Sequence, residues 1–226
     1  MSHANGAGPG APASERVGGS GGAKPPGILL DIEGTTTPIA FVTETLFPYA
    51  RARLAGFLAR EGRADETARF FALMDADSKD SELKELQGRI WEDGYTRGEL
   101  AGDVFEDVPR ALVRWHRAGV PIGIYSSGSV LAQQWLFRTT PAGDLTRFIS
   151  SFFDTAVGGK RDAESYTRIA ERVGLAPQAI TFVSDVVAEL DAARRAGMRT
   201  ILSLRPGNSP QPLNDHQSIS SLDEMA

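Results

Sequence analysis

The stretch Gly27-Ile28-Leu29-Leu30-Asp31-Ile32-Glu33-Gly34-Thr35-Thr36-Thr37-Pro38 constrains this chain more than any other. A short apolar run reads as a buried strand, a carboxylate ends it, and Gly34 with three threonines stops it. In an open parallel sheet, ligands sit just beyond the carboxyl ends of the strands, where Asp31 would emerge. Taken alone, an Asp after a strand more commonly serves a turn or a helix cap. The rest of the chain shifts that balance. It supplies a strand ending in Ser126-Ser127, a lone Lys160 after a short strand, and a strand ending in Asp185, in that order.

The intervening segments alternate between strand and helix. Ile39 to Glu61 is expected to be helical, with Pro48 near a start, and further helices begin at Asp65 and Asp80. No strand is expected between Phe41 and Glu106. Asp107 is expected to cap a helix that Gly119 closes. Strands are expected at 120–125, 148–153, 179–183 and 199–204, with helices between them, and 206–226 is expected to wrap the surface. Such alternation gives a parallel sheet with right-handed crossovers. The expected fold is therefore α/β: a doubly wound, Rossmann-like parallel-sheet core, residues 27–40 and 107–226, with an all-helical cap inserted at 41–106. Residues 1–26 are rich in Gly, Ala and Pro and poor in large apolar side chains, which reads as a disordered tail with no signal-peptide core.

Bulk properties narrow the function. A net charge of −5 argues against nucleic-acid binding through a general basic surface. With no cysteine there is no disulfide and no thiolate metal site, so a reducing compartment is the default. No apolar run approaches the roughly 20 residues of a membrane span. His3, His116 and His216 are scattered, so nothing supports a histidine metal site or Ser–His catalysis.

The ordered polar set suits phosphoryl transfer. That chemistry needs a nucleophile, a metal, donors for phosphate oxygens and a proton carrier for the leaving group. Asp31 is the candidate nucleophile, through an aspartyl-phosphate. Mg²⁺ takes hard oxygens and needs only one or two carboxylates, for which Asp31 and Asp185 suffice. Ser126 and Ser127 can hold phosphate oxygens, and Lys160 can neutralise charge. Glu33 is close enough to act as acid or base, or to give a backbone carbonyl to the metal. Each residue has a plainer role as well. Ser126 to Ser129 could be a turn with a capping serine, Lys160 a solvated lysine, and Asp185 a helix cap. Glu189 could be a helix-face charge, with support of the metal the minority reading. Trp91, Trp115 and Trp135 are assigned to packing.

The set Asp31-x-Glu33-Gly34-Thr35, Ser126, Lys160 and Asp185 resembles the haloacid dehalogenase-like superfamily of phosphohydrolases. The runs Asp31 to Ile39, Tyr125-Ser126-Ser127-Gly128-Ser129-Val130 and Arg205-Pro206-Gly207-Asn208 resemble its enolase-phosphatases of methionine salvage. The resemblance runs from about Ile28 to about Asn208. Most of the superfamily carries Asp at the position of Glu33, and Glu there matches the enolase-phosphatase pattern. The resemblance implies one Mg²⁺ held by Asp31, Glu33 and Asp185, and substrate contacts from Ser126, Ser127 and Lys160. It implies enolisation of 2,3-diketo-5-methylthiopentyl 1-phosphate and then its dephosphorylation, by a cytoplasmic monomer. The cap would supply a methylthio pocket, with Phe41, Phe47 and Tyr49 candidates by position. Two other readings stay open: a phosphatase of the same superfamily without enolisation, and a receiver-like module that accepts phosphate on Asp31.

Overall fold

A computed structural model describes Met1, residues 26–78 and residues 80–225. The tail expected at residues 1–26, with His3, lies outside the described residues except for its two ends.

Six strands form one sheet in the order β3-β2-β1-β4-β5-β6, and every pairing is parallel. They are β1 (Gly27–Leu30), β2 (Ile122–Tyr125), β3 (Ser151–Phe153), β4 (Ile180–Ser184), β5 (Arg199–Ser203) and β6 (Gln217–Ile219). Side chains alternate across the sheet, so each strand feeds two cores. Ile28 and Leu30 pack with Ile122, Ile124 and the buried face of α4 (Asp107–Arg117), while Leu29 packs with Phe182 and the apolar faces of α6 (Ala163–Val173) and α7 (Val187–Arg195). Burial on both faces makes the sheet doubly wound. The chain winds outward from β1 through β2 and β3, then returns to β1's other side as β4. That reversal opens a crevice beyond the carboxyl ends of β1 and β4, where Asp31 and Asp185 follow the strands.

Between β1 and β2 the described residues form helices and turns. A π-helical turn (Phe41–Leu46) runs directly into α1 (Phe47–Arg60), followed by α2 (Thr67–Asp75) and α3 (Ser81–Thr96). Pro48 accounts for the wide turn. It has no N–H to donate and its ring crowds the carbonyl four residues back, and Phe47 donates instead to the Val42 carbonyl five residues back. Among the described residues no helix is long and apolar enough to cross a membrane.

Three local expectations are corrected. Asp107 does not cap α4: its carboxylate turns away and accepts hydrogen bonds from Arg205, Ser221 and the Leu222 N–H. The strand expected at 148–153 begins only at Ser151, because Thr146–Phe148 forms a 3₁₀ turn. The surface segment expected at 206–226 contributes β6 instead. Three residues carry too little apolar pattern to reveal a strand, and their anchor is the preceding His216. Its ring is buried between Asp191, at 3.1 Å from Nε2, and Thr200, at 2.8 Å from Nδ1, with Arg194 also on Nδ1.

Candidate active site

Asp31 leaves β1 with its backbone N–H still paired to Val183. The next residues close a tight loop in which the Ile32 carbonyl accepts from the backbone N–H groups of Thr35, Thr36 and Thr37. Gly34 makes the loop possible. Its φ is +65°, and a Cβ there would lie 2.4 Å from Asp185 Oδ2 and 2.7 Å from Asn208 Oδ1. From behind, Ser203 Oγ (3.0 Å) and Asn208 Nδ2 (2.9 Å) donate to the Gly34 carbonyl. Arg205 Nε donates to the Thr35 carbonyl at 3.2 Å. The loop is thus fixed by residues some 170 positions later.

The Asp31 carboxylate is held from three sides. Oδ1 accepts from the Ile32 N–H at 2.7 Å and from Lys160 Nζ at 2.6 Å. Oδ2 accepts from Ser184 Oγ at 3.0 Å. Lys160 reaches a second carboxylate, Glu189 Oε2, at 2.7 Å. Burial works against the Lys160 ammonium, but the charges of Asp31 and Glu189 outweigh it and raise its pKa above the ordinary lysine value. Lys160 is therefore a fixed positive charge and not a base near neutral pH. Its loop is tied by Tyr125 Oη to the Gly158 carbonyl (2.7 Å), Ser165 Oγ to the Gly159 carbonyl (2.9 Å) and Tyr166 Oη to the Lys160 carbonyl (2.7 Å).

Asp185 does not cap α7, whose N-cap is Val186 with no side-chain cap. Its carboxylate is buried near Asp31 instead, and burial first, then the Asp31 charge, push its pKa up to about 7. Glu189, in the first turn of α7, is pushed up to about 7 by burial and the same charge. The Ser184 hydroxyl faces both Asp31 Oδ2 and, at 3.1 Å, Glu189 Oε2. It has one hydrogen for two acceptors.

Ser126 follows β2, buried, and its Oγ accepts from the Gly128 N–H at 3.3 Å. Capping of α5 (Val130–Arg138) falls to Ser129, not to Ser126 or Ser127. Ser127 is exposed and lines two neighbouring cavities. The first, about 540 Å³, is bordered by Asp31, Glu33, Ser126, Lys160, Asp185 and Glu189 as well. The second, about 310 Å³, is bordered by Phe47, Met74 and Leu83 of the helical stretch. Of the three aromatic residues named for a methylthio pocket, only Phe47 borders this cavity. Phe41 is in the core, and Tyr49 donates to Glu99 at 2.9 Å.

Asp31, Glu33, Ser126, Ser127, Lys160 and Asp185, the catalytic, metal and substrate residues proposed from the sequence, therefore border one cavity. Sequence reasoning underrated Glu189, which is a buried partner of Lys160 and not a helix-face charge, and it did not find Ser184. The available signal was the place of Glu189 in the first turn of the helix that follows the strand-ending Asp185, which keeps it at the same end of the sheet. Trp91 and Trp115 are buried, and Trp135 stacks on Tyr95. His116 packs on Phe148 and His216 holds β6, so no described histidine lines the cavity.

The donor set fits a divalent cation bound largely through water. Asp31 and Glu189 share the Lys160 ammonium, and Asp185, buried near Asp31, adds a third carboxylate to the same cavity. Among the described residues no three His, Cys, Asp or Glu side chains form a metal cage. Mg²⁺ does not need one, since it keeps several waters and takes one or two carboxylates.

A profile of the haloacid dehalogenase-like hydrolases matches residues 26–197. Enolase-phosphatase E1 of Synechococcus elongatus is 47% identical over 88% of this chain and 96% of its own length. Enolase-phosphatase E1 of Leptospira borgpetersenii is 44% identical over 87% and 96%. The crystal structure of the UTR4 protein from Saccharomyces cerevisiae superposes with a TM-score of 0.76 at 34% identity, covering 86% of this chain and 97% of that one.

Proposed function

The chain belongs to the haloacid dehalogenase-like hydrolases, among the enolase-phosphatases, and from that premise we propose that its crevice both enolises and dephosphorylates 2,3-diketo-5-methylthiopentyl 1-phosphate, giving the acireductone of methionine salvage. The observation that carries this reading is the convergence of Asp31, Glu33, Ser126, Ser127, Lys160 and Asp185 on one cavity.

In this reading Ser126 and Ser127 receive the phosphate oxygens and Lys160 balances their charge. Lys160 and the Ile32 N–H fix Asp31 Oδ1, so the carboxylate need not reorient to react. Among the described residues Oδ2 accepts a hydrogen bond from Ser184 alone, and it keeps a lone pair for phosphorus. Attack forms the Asp31–phosphorus bond and breaks the bond to the substrate oxygen, and water then releases phosphate from the aspartyl-phosphate. Asp31, Asp185 and Glu33, the last through its carboxylate or its backbone carbonyl, would hold one Mg²⁺, which when bound supplies charge neutralisation at the phosphate and polarisation of the vicinal carbonyls. Glu33 lines the cavity from an exposed position and serves as the proton carrier of the enolisation half. Residues 41–106 act as the cap over a core of 27–40 and 107–226, with the methylthio end in the cavity bordered by Phe47, Met74 and Leu83. The enolase-phosphatase reading carries with it a cytoplasmic monomer.

Enolisation and phosphate release are separable in one assay that follows absorbance and free phosphate together. Asp31→Asn is expected to lower phosphate release by about 10⁴-fold or more. Glu33→Gln is expected to slow enolisation by roughly 10²- to 10⁴-fold. Phosphate release that survives Asp31→Asn removes the nucleophile, and unchanged enolisation in Glu33→Gln removes the proton carrier. Phosphate release without any absorbance change in the wild type would favour a phosphatase without enolisation.

A further inference from the structure

Asn208 follows β5 on the loop behind Gly34, and its amide is oriented without ambiguity. One end donates to two carbonyls, Gly34 at 2.9 Å and Ser203 at 3.1 Å, and only an NH₂ group can do that. The other end is therefore the oxygen. Asn208 Oδ1 is buried, and no donor among the described residues reaches it. A buried amide oxygen without a donor is costly, so its partner must be a molecule that the chain itself does not supply.

Its direction identifies that partner. The missing Cβ of Gly34 would lie 2.7 Å from Asn208 Oδ1 and 2.4 Å from Asp185 Oδ2. The two oxygens are thus no farther apart than the sum of those distances, within the reach of one bridging water molecule. A water bound to a cation turns its lone pairs to the metal and its hydrogens outward, so it can only donate to the protein. An amide oxygen suits it and an amide N–H does not. Glycine is required at position 34, because any side chain there would strike both oxygens.

We propose that Asn208 accepts a hydrogen bond, through Oδ1, from a water in the hydration shell of the divalent cation at Asp185, and so sets the affinity of that cation. Asn208 is a positioning residue and touches neither substrate nor reacting atoms. The inference rests on the reading that a cation sits at Asp31 and Asp185. Its alternative is that Asn208 only ties down the Gly34 loop. Ser203 is the built-in control, since its hydroxyl also donates to the Gly34 carbonyl, at 3.0 Å, without offering an acceptor to the crevice.

Binding of Mn²⁺, an octahedral oxygen-seeking cation visible by EPR, would be measured on the full chain, with thermal unfolding in EDTA recorded alongside. Removal of an outer partner of a metal site typically costs about 10- to 100-fold in affinity. Asn208→Ala is expected to weaken Mn²⁺ by about tenfold or more, with Ser203→Ala within about threefold of wild type. Asn208→Asp keeps an acceptor and loses both donors, so it is expected to unfold at lower temperature in EDTA yet keep its Mn²⁺. Equal affinities for Asn208→Ala and Ser203→Ala would overturn the proposal, as would Asn208→Asp binding as poorly as Asn208→Ala. Wild-type protein that binds no Mn²⁺ would remove the cation reading and this inference with it, and the wild-type measurement tells the two failures apart.

Discussion

Asp107 and Asp185 sit in one fold, 5% and 7% exposed, and the chain treats them in opposite ways. Asp107 Oδ2 accepts from Arg205 Nη2 at 2.7 Å, from Ser221 Oγ at 2.9 Å and from the Leu222 N–H at 2.6 Å. Burial pushes its carboxyl up, but these donors, Arg205 first, hold it below the usual carboxylate range. Asp185 has no such set of donors, and burial and the Asp31 charge carry it up to about 7. The first is an ion pair completed within the protein, and the second is a charge left short of partners. Incomplete satisfaction at a crevice marks a binding site, whereas completeness away from it marks architecture.

The largest expected effect breaks the completed side. Asp107→Ala would strand the Arg205 guanidinium, itself buried and stacked over Phe105, and release the turn at Ser221–Leu222. Removing one partner of a buried pair costs about 3–5 kcal/mol. Urea unfolding is expected to show a loss of that size, with phosphatase activity falling as well because Arg205 also holds the Thr35 carbonyl. A loss below about 1 kcal/mol would mean that the pair is no better than a surface one.

On the unfinished side the sign reverses. Asp185→Asn in EDTA removes a carboxylate whose charge is disfavoured by burial and by Asp31, and is expected to stabilise the protein by roughly 1–3 kcal/mol above pH 7 while abolishing metal binding. The pH dependence sharpens this. A carboxyl raised to about 7 in the fold and near its ordinary value when unfolded makes the native state take up a proton between the two. Metal-free wild type is therefore expected to gain stability as pH falls from about 8 toward 5, and Glu189, also raised to about 7, adds in the same direction. Asp185→Asn should flatten the slope, and saturating Mg²⁺ should flatten it too, since metal competes with the proton. Urea unfolding across that range decides it, and a wild-type slope that rises with pH would sink the comparison.

How far the sequence reveals each side follows from range. The crevice was legible because its residues follow strands in the order a parallel sheet dictates, so Asp31, Ser126, Lys160 and Asp185 could be named from position alone. Glu189 was harder, since nothing in a helix-start glutamate announces that Lys160, 29 residues earlier, will reach it. The Asp107 clamp was misread outright. Asp before a helical pattern is an ordinary N-cap signal, and its true partners lie about 98 and 114 positions away. β6 was missed for a related reason, because it is held by His216 and edge pairing rather than by an apolar run.

The smallest effect tests whether the completed side is built from separable parts. Ser221→Ala removes one of three donors to Asp107 Oδ2 and leaves Arg205 and the Leu222 N–H in place. Ser221 also accepts from the Asp223 N–H at the start of the last turn, so both losses fall in the same element. A neutral hydrogen bond and a weakened cap together amount to about 1–2 kcal/mol. The effect should also depend on pH. Asp107 is held low in the fold, so its contribution is present above the ordinary carboxylate value of about 3.9 and is lost as pH falls below it. Taking away one donor brings the folded and unfolded values closer, so Ser221→Ala should lose less stability between pH 5 and pH 3 than wild type does. Urea midpoints at the two pH values measure that difference. Equal acid losses would mean that Arg205 and the Leu222 N–H hold Asp107 down without the hydroxyl, which then belongs to the turn and not to the ion pair.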